Sequence, residues 1–343
     1  MPKPLPAEDL THILTHARPA FASLKDARLF ITGGTGFFGH WLLESLLHAN
    51  QSLALNAHAT VLTRNAAAFR NKSPDVANHP AITLLEGDIR TFAFPTQPHT
   101  HILHAATDTV TADSSTLAAS ILEGTARVLA FAHHSGARRL LYTSSGAVYG
   151  RNITTVSRIS EDFPAPPLPP NSYDAAKRQA EQLCLASPIP STIARCFAFV
   201  GPHLPLDAHF AIGNFIADAL ANRPIHIKGD GTPLRSFLYM SDLAIWLWTM
   251  LTTAPAGSVY NVGSDESVSI AELAHLTAAT LNPTLPIQID GTPTPNTPPP
   301  TYVPDITRAH TEVGLHITVP LAEAIRCTAA WHTTNAVPSP PTG

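Results

Sequence analysis

Tyr173 and Lys177 stand four residues apart in the run Asn171-Ser172-Tyr173-Asp174-Ala175-Ala176-Lys177, a spacing that on a helix stacks a phenol and an ammonium on one face. A phenol with a pKa near ~10 is a poor base at neutral pH, and a neighbouring cation brings the phenolate into working range. Taken alone, such a pair is more often a packed ring beside a solvated charge. What raises it is the hydroxyl run Thr143-Ser144-Ser145 at the end of the apolar stretch Arg139-Leu140-Leu141-Tyr142. A doubly wound sheet collects its ligands at the carboxyl ends of its strands.

The elements that must position these groups start at Leu29-Phe30-Ile31-Thr32-Gly33-Gly34-Thr35-Gly36-Phe37-Phe38-Gly39, which passes into His40-Trp41-Leu42-Leu43. It reads as strand, tight turn and helix. Glycines at 33, 36 and 39 suit a turn, close approach of backbone to a pyrophosphate, and close packing of helix on strand. A three-glycine pattern is weak by itself, and the flanking strand and amphipathic helix are the context that credits it. Further strands are expected at 59–63, 81–85, 101–106 and 139–143, most of them separated by helix-length segments, so the fold class is α/β with a Rossmann-type doubly wound parallel sheet. Residues 1–27 form a helical leader, 28–200 the dinucleotide-binding domain with the catalytic residues, 201–335 mainly a smaller C-terminal substrate-binding region, and 336–343 a tail. Proline runs at 164–170 and 283–304 read as surface loops or a lid. Ser269-Ile270-Ala271-Glu272 is a capping box that starts a helix, and the apolar run Leu243–Leu251 is a core helix, too short to span a bilayer.

With these motifs in place the chain resembles the extended short-chain dehydrogenase/reductase family, in its nucleotide-sugar epimerase and dehydratase branch. The matching segments run from Thr32–Gly39 through Gly87-Asp88, His104-Ala105-Ala106, Thr143–Gly150, Tyr173–Lys177, Arg195–Pro202 and Gly229–Phe237 to Tyr260-Asn261-Val262-Gly263. The resemblance implies that Tyr173 is the acid/base on a sugar hydroxyl, that Lys177 binds the nicotinamide ribose and lowers the tyrosine pKa, and that Ser145 shares the proton and touches substrate. It implies a cofactor site of Gly33, Thr35, Gly36, Phe37, Phe38, Gly39, Arg64, Asp88, Ile89, Ala105, Ala106 and Thr143 together with Tyr173 and Lys177. Asp88 and Ile89 hold the adenine in this scheme, Arg235 clamps a substrate diphosphate, Asn214 offers an amide to it, and Arg195 is a structural link.

Dehydratases of the branch carry an Asp-Glu pair before the Val-Tyr-Gly, where this chain has Gly146 and Ala147, which disfavours 4,6-dehydration. Ile121 and Ala198 stand where the branch usually has asparagines. After the second strand Thr63-Arg64-Asn65 replaces an acidic residue; an arginine there accommodates a 2′-phosphate or stacks on adenine, so NAD is expected with NADP allowed. The expected activity is an isomerase, a nucleotide-sugar C4 epimerase working through a transient ketosugar. The alternatives are an NADPH-dependent 4-ketosugar reductase, a dehydratase, or a non-catalytic dinucleotide-binding regulator on the same fold. A homodimer through helices at about 114–134 and 172–186 follows from the resemblance, with a nucleotide-diphosphate sugar as the ligand.

Composition narrows the classes. A net charge of −4 over 343 residues gives no basic footprint for nucleic acid. Three cysteines without metal spacing fit a reduced, cytoplasmic setting, and no secretory or membrane segment is expected. The eighteen histidines are scattered, and the adjacent His133-His134 cannot both face one ion from a helix, so no metal is expected.

Overall fold

The computed structural model describes residues 3–107, 114–208 and 210–333. Six strands, β1 (Arg28–Thr32), β2 (His58–Thr63), β3 (Ile82–Glu86), β4 (His101–His104), β5 (Arg139–Ser145) and β6 (Ser191–Cys196), join the later strand Val259–Val262 in one parallel sheet. Across the sheet the order is Val259–Val262, β6, β5, β4, β1, β2, β3. The expected doubly wound α/β fold is therefore present. Its switch point lies between β1 and β4, where the chain leaves neighbouring strands in opposite directions and opens a crevice at their carboxyl ends.

The elements form where the residue pattern directs. Phe30 and Ile31 of β1 are fully buried, as strands covered on both faces by helices require. The apolar run expected as a core helix is the helix Met240–Thr253, with Trp246 and Trp248 fully buried. Ser269 and Glu272 make both hydrogen bonds of a capping box at the start of the helix Ile270–Leu281. The leader is two helices rather than one, α1 (Ala7–His16) and α2 (Arg18–Ala22), because Pro19 cannot continue the first and instead opens the second. It is fastened to the body: Tyr239 donates to Asp9 at 2.8 Å, and the Leu5 amide donates to Glu44 at 2.8 Å. Glu44 lies on α3 (Phe37–Leu53), the helix that follows the glycine turn.

Two small sheets carry the C-terminal side of the cleft. In one, Leu234–Arg235 lies between Val268–Ser269 and Thr301–Tyr302, and its parallel register sets Arg235 beside Tyr302. In the other, Ile225–Ile227 pairs with Ile287–Ile289. No helix among the described residues is long and apolar enough to cross a membrane.

Among the described residues one group, His40, Glu44 and His203, brings ligand atoms within 4.8 Å of one another. The two imidazoles stack at 4.1 Å with their planes 4° apart. A metal binds in the plane of an imidazole, and parallel planes share no point, so the rings do not converge on an ion. Burial instead keeps them neutral, with His40 lowered to about 3 and His203 to about 4. His104 and His101 are likewise lowered, to about 3 and about 4.

A pH dependence of stability follows. Each of these four histidines takes up a proton near pH ~6.5 when unfolded and resists it when folded, so their contribution is complete above that value and is lost as pH falls below it. Glu44, raised by burial to about 7, and Asp9, raised to about 6, act in the opposite sense, since the folded state holds their protons longer. His12, His99 and His332 are also lowered by burial, and Glu161 and Asp242 also raised, so among the described residues seven histidines oppose four carboxyls. The thermal midpoint is therefore expected to fall on going from pH 7 to pH 5, measured by circular dichroism at constant ionic strength. A midpoint that rises over this interval would show that the carboxyls dominate.

Candidate active site

The cleft is organised at the ends of β1, β4 and β5. Thr32 closes β1, and its hydroxyl accepts from the amides of Ala105 and Ala106, both at 3.1 Å. With those acceptor directions taken, the hydroxyl donates to His104 Nδ1 at 2.8 Å, which leaves Nε2 as the protonated nitrogen facing Thr125 Oγ1 at 3.1 Å. A neutral, fully hydrogen-bonded histidine thus fixes the Ala105-Ala106 backbone over the glycine turn.

The glycines divide by function. Gly33 has a φ of +75°, and a Cβ there would lie 2.5 Å from the Ala105 carbonyl oxygen. A Cβ at Gly39 would lie 2.2 Å from the Gly34 carbonyl group. These two are required by the protein itself. Gly36 is different: it is the N-cap of α3 with an extended backbone, and a Cβ there meets nothing closer than the Gly33 oxygen at 3.5 Å. The space above it belongs to no protein atom. Beyond it the first-turn amides of Phe37, Phe38 and Gly39 end the helix without an intrahelical acceptor, the arrangement that receives a phosphate. The residues present therefore fit a dinucleotide.

On the other wall, Ser172 caps the helix Tyr173–Ala186 by accepting from the Ala175 amide at 3.1 Å. Tyr173 and Lys177 then fall on one face, with the Lys177 Nζ 5.9 Å from the Tyr173 ring. Lys177 is 2 % exposed and donates to the Thr143 carbonyl and to Thr107 Oγ1, both at 2.9 Å. Burial lowers it to about 8. Burial likewise pushes the Tyr173 phenol up to about 12, partly offset by hydrogen bonding with Ser145. Ser145 itself caps the 3₁₀ turn Gly146–Tyr149, accepting from the Ala147 amide at 3.2 Å. The structure thus brings Ser145, Tyr173, Lys177 and Thr143 together, with Ala105 and Ala106 on the adjoining strand end.

Three groups at this site are absent from the sequence reading. Glu181 continues the spacing of 173 and 177, an available signal; it is 3 % exposed and accepts from Ser144 and from the Arg195 guanidinium at 2.8 Å. Arg195 also donates to the Tyr149 hydroxyl at 2.9 Å, so with its bond to Glu181 it ties β6 to the helix Tyr173–Ala186. Thr107 and Tyr302 carry no local pattern. The Tyr302 hydroxyl lies 2.8 Å from where a Cβ at Gly146 would be, and its ring packs against Phe197, tilted by 39° at 4.7 Å.

The remaining expected residues lie farther out. Asp88 is bound by Arg90 at 2.9 Å, and with Arg64 nearby its carboxyl is held below the usual range. Ile89 packs against Gly124, at 2.9 Å from a Cβ there. Arg235 is half-buried and donates to the Leu234 carbonyl at 2.8 Å, and desolvation lowers its guanidinium below the usual arginine range. Asn214 is exposed on the helix Ala211–Leu220, and its NH₂ group is directed to the carbonyls of Ala208 at 3.0 Å and Leu206 at 3.1 Å.

Residues 29–263 match the NAD dependent epimerase/dehydratase family model. The chain is 30 % identical over 313 residues to UDP-glucuronic acid decarboxylase 4 of Arabidopsis thaliana, covering 88 % of this chain and 67 % of that protein. Among solved structures it superposes on an epimerase from Methanothermobacter thermautotrophicus with a TM-score of 0.78 at 20 % identity, over 94 % of this chain and 96 % of the other. The Bordetella bronchiseptica enzyme WbmG in complex with NAD matches at 25 % identity and a TM-score of 0.71, over 90 % and 94 % of the two chains. The similar decarboxylases are lyases, which overturns the expectation that an isomerase is favoured. Motifs for the acid/base, the cofactor and the fold are shared by reactions that differ only in what the intermediate ketone does next, so those motifs do not choose the reaction. From Leu29 to Gly263 the chain carries the family's pattern, and it belongs to the NAD dependent epimerase/dehydratase family.

Proposed function

We propose that this enzyme decarboxylates a nucleoside-diphosphate uronic acid through a 4-keto stage, with NAD as its cofactor. The observation that carries the reading is the cleft itself: a buried Tyr-Lys-Ser group in which, among the described residues, the turn that follows Ser145 supplies no carboxylate. Gly146 and Ala147 bring none. Glu181 is bound to Arg195, Asp174 faces Arg151 at 3.3 Å, and Glu161 accepts from the Asn261 amide at 2.8 Å. Loss of water from a sugar needs a protein acid to protonate the departing hydroxyl. Loss of CO₂ from a β-keto acid needs none, because the C5 carboxylate leaves without a proton. The similarity to UDP-glucuronic acid decarboxylases points the same way.

NAD, when bound, supplies the acceptor that takes hydride from C4 and later gives it back. The residues expected to line its site, from Gly33 to Gly39 with Ile89, Ala105, Ala106, Thr143 and Lys177, keep those roles in the proposal. The Asp88 carboxylate beside Arg64 opposes a 2′-phosphate at the end of β2 and supports NAD over NADP. Tyr173 removes the proton from the C4 hydroxyl and Ser145 relays it. Lys177 holds positive charge near the phenol while bonding the ribose. Arg235 meets the anionic part of the substrate. The chain works as a homodimer through the helices Ser114–Ser135 and Tyr173–Ala186, the second of which leaves Leu183 40 % exposed, in a reducing compartment that suits its free thiols.

The test is incubation with UDP-glucuronate and catalytic NAD, with CO₂ and product mass measured. A UDP-pentose formed with stoichiometric CO₂ is expected. Interconversion of UDP-glucose and UDP-galactose, with UDP-glucuronate untouched, would overturn the reading.

A further inference from the structure

The Tyr302 hydroxyl is out of place for a core tyrosine. It lies on the strand Thr301–Tyr302, far in sequence from the catalytic helix, yet it enters the cleft from the opposite wall. The missing side chain at Gly146 makes room for it: a Cβ there would fall 2.8 Å from the phenol oxygen and 2.9 Å from Phe197. The Phe197 ring packs against the Tyr302 ring, tilted by 39° with the centroids 4.7 Å apart, and fixes its direction. Gly146 directly follows Ser145, so the Tyr302 hydroxyl lies beside the serine that Tyr173 also approaches. The parallel register sets Arg235 directly beside Tyr302, so the two side chains leave the same face of the small sheet.

These contacts locate the second phenol relative to the chemistry. On the reading proposed above, Ser145 and Tyr173 bracket the C4 oxygen of the sugar. A phenol whose hydroxyl lies at Gly146, next to Ser145, is then beside the C4 position, and the atoms beside C4 are C3 and C5. Its neighbour Arg235 is a cation, and the reading gives it the anionic C5 substituent in place of the diphosphate that the resemblance implied. Desolvation raises the Tyr302 phenol above its ordinary value, so it holds its proton at neutral pH.

We propose that Tyr302 is a second acid of the active site, which delivers a proton to C5 of the sugar after CO₂ has left. The step balances without a further reactant. In the 4-keto acid the C5–C6 bond breaks, its electron pair becomes the C4–C5 enolate, and C6 departs as CO₂. The enolate then takes the Tyr302 proton at C5 and becomes the 4-ketopentose, and the phenolate recovers a proton from water. Tyr173 is not used here, because its proton is needed at the C4 oxygen when the ketone is reduced. Two acids for two sites explain why the cleft holds two tyrosines around one serine. Arg235, held at the same register position, orients the departing carboxylate.

The test uses the full chain with Tyr302→Phe, which keeps the ring packed against Phe197 and removes only the hydroxyl. Thermal midpoint and NAD affinity are measured first and should match wild type. With UDP-glucuronate in deuterated water, wild type should place one deuterium at C5 of the pentose in a single configuration. Y302F should release CO₂ at least 30-fold more slowly, accumulate reduced nicotinamide, and distribute deuterium between both configurations at C5. If wild type releases CO₂ and Y302F does so at the same rate with the same single configuration, the role of Tyr302 is wrong while the decarboxylase reading stands. If wild type releases no CO₂ at all, both fall together.

Discussion

Replacing Tyr173 with phenylalanine is expected to lower kcat by roughly 10³-fold, about 4 kcal/mol in the barrier, with the fold and NAD binding unchanged. The ring packs at the first turn of its helix, and the cap from Ser172 to the Ala175 amide does not involve the hydroxyl, so the stability of the helix is not at stake. What is lost is the only phenol that combines Ser145 with the Lys177 ammonium 5.9 Å from its ring. Burial pushes that phenol up to about 12. It works as a base only with positive charge close by, so KM should move little while kcat falls. Steady-state kinetics with a thermal melt on the same sample checks this. Activity within tenfold of wild type would remove Tyr173 from the mechanism.

The glycine turn gives the second large effect, and here the sign differs between neighbours. Gly36→Val is expected to weaken NAD binding by more than about 100-fold, near 3 kcal/mol, at a cost to folding of only about 1 kcal/mol for a poorer helix cap. The backbone there is extended and an added Cβ meets nothing closer than the Gly33 oxygen at 3.5 Å. Gly39→Val does the reverse, because its Cβ would sit 2.2 Å from the Gly34 backbone, which has nowhere to go. That variant should lose at least about 3 kcal/mol of stability and fail to accumulate as folded protein. Titration calorimetry with NAD on Gly36→Val, beside a urea melt, separates the two. Normal NAD affinity in Gly36→Val would mean the pyrophosphate lies elsewhere.

The part of the site that local patterns encode was readable in the chain. Tyr173, Lys177 and Ser145 each sit where a helix period or a strand end puts them, and the strand-turn-helix around Gly33 announces itself through the apolar run before it. The rest depends on register between segments that have no period of their own. Leu234–Arg235 and Thr301–Tyr302 are two-residue strands, too short for alternation to show, and a proline-rich stretch separates the second from anything regular. Nothing local says that Tyr302 will cross the cleft into the space left by Gly146. His104 is similar: its sequence position marks a strand end, but its role as a neutral bridge from Thr32 to Thr125 arises only when β1, β4 and the helix Ser114–Ser135 are assembled. The reaction itself was misjudged for the same reason. On the proposed reading the motifs that recur along the chain handle the C4 hydroxyl, whereas the groups assigned to the other substituents of the sugar come from the irregular C-terminal side.

The most direct test of the central claim is isotopic. UDP-glucuronate carrying deuterium at C4 is turned over with excess unlabelled NAD, and the pentose product is examined by mass and by NMR. Oxidation and reduction at one site predict that the deuterium returns to C4 of a product one CO₂ lighter, with no label in the free dinucleotide. Label lost to free NADH, or retained at C4 in a product that still bears its carboxylate, would contradict the account.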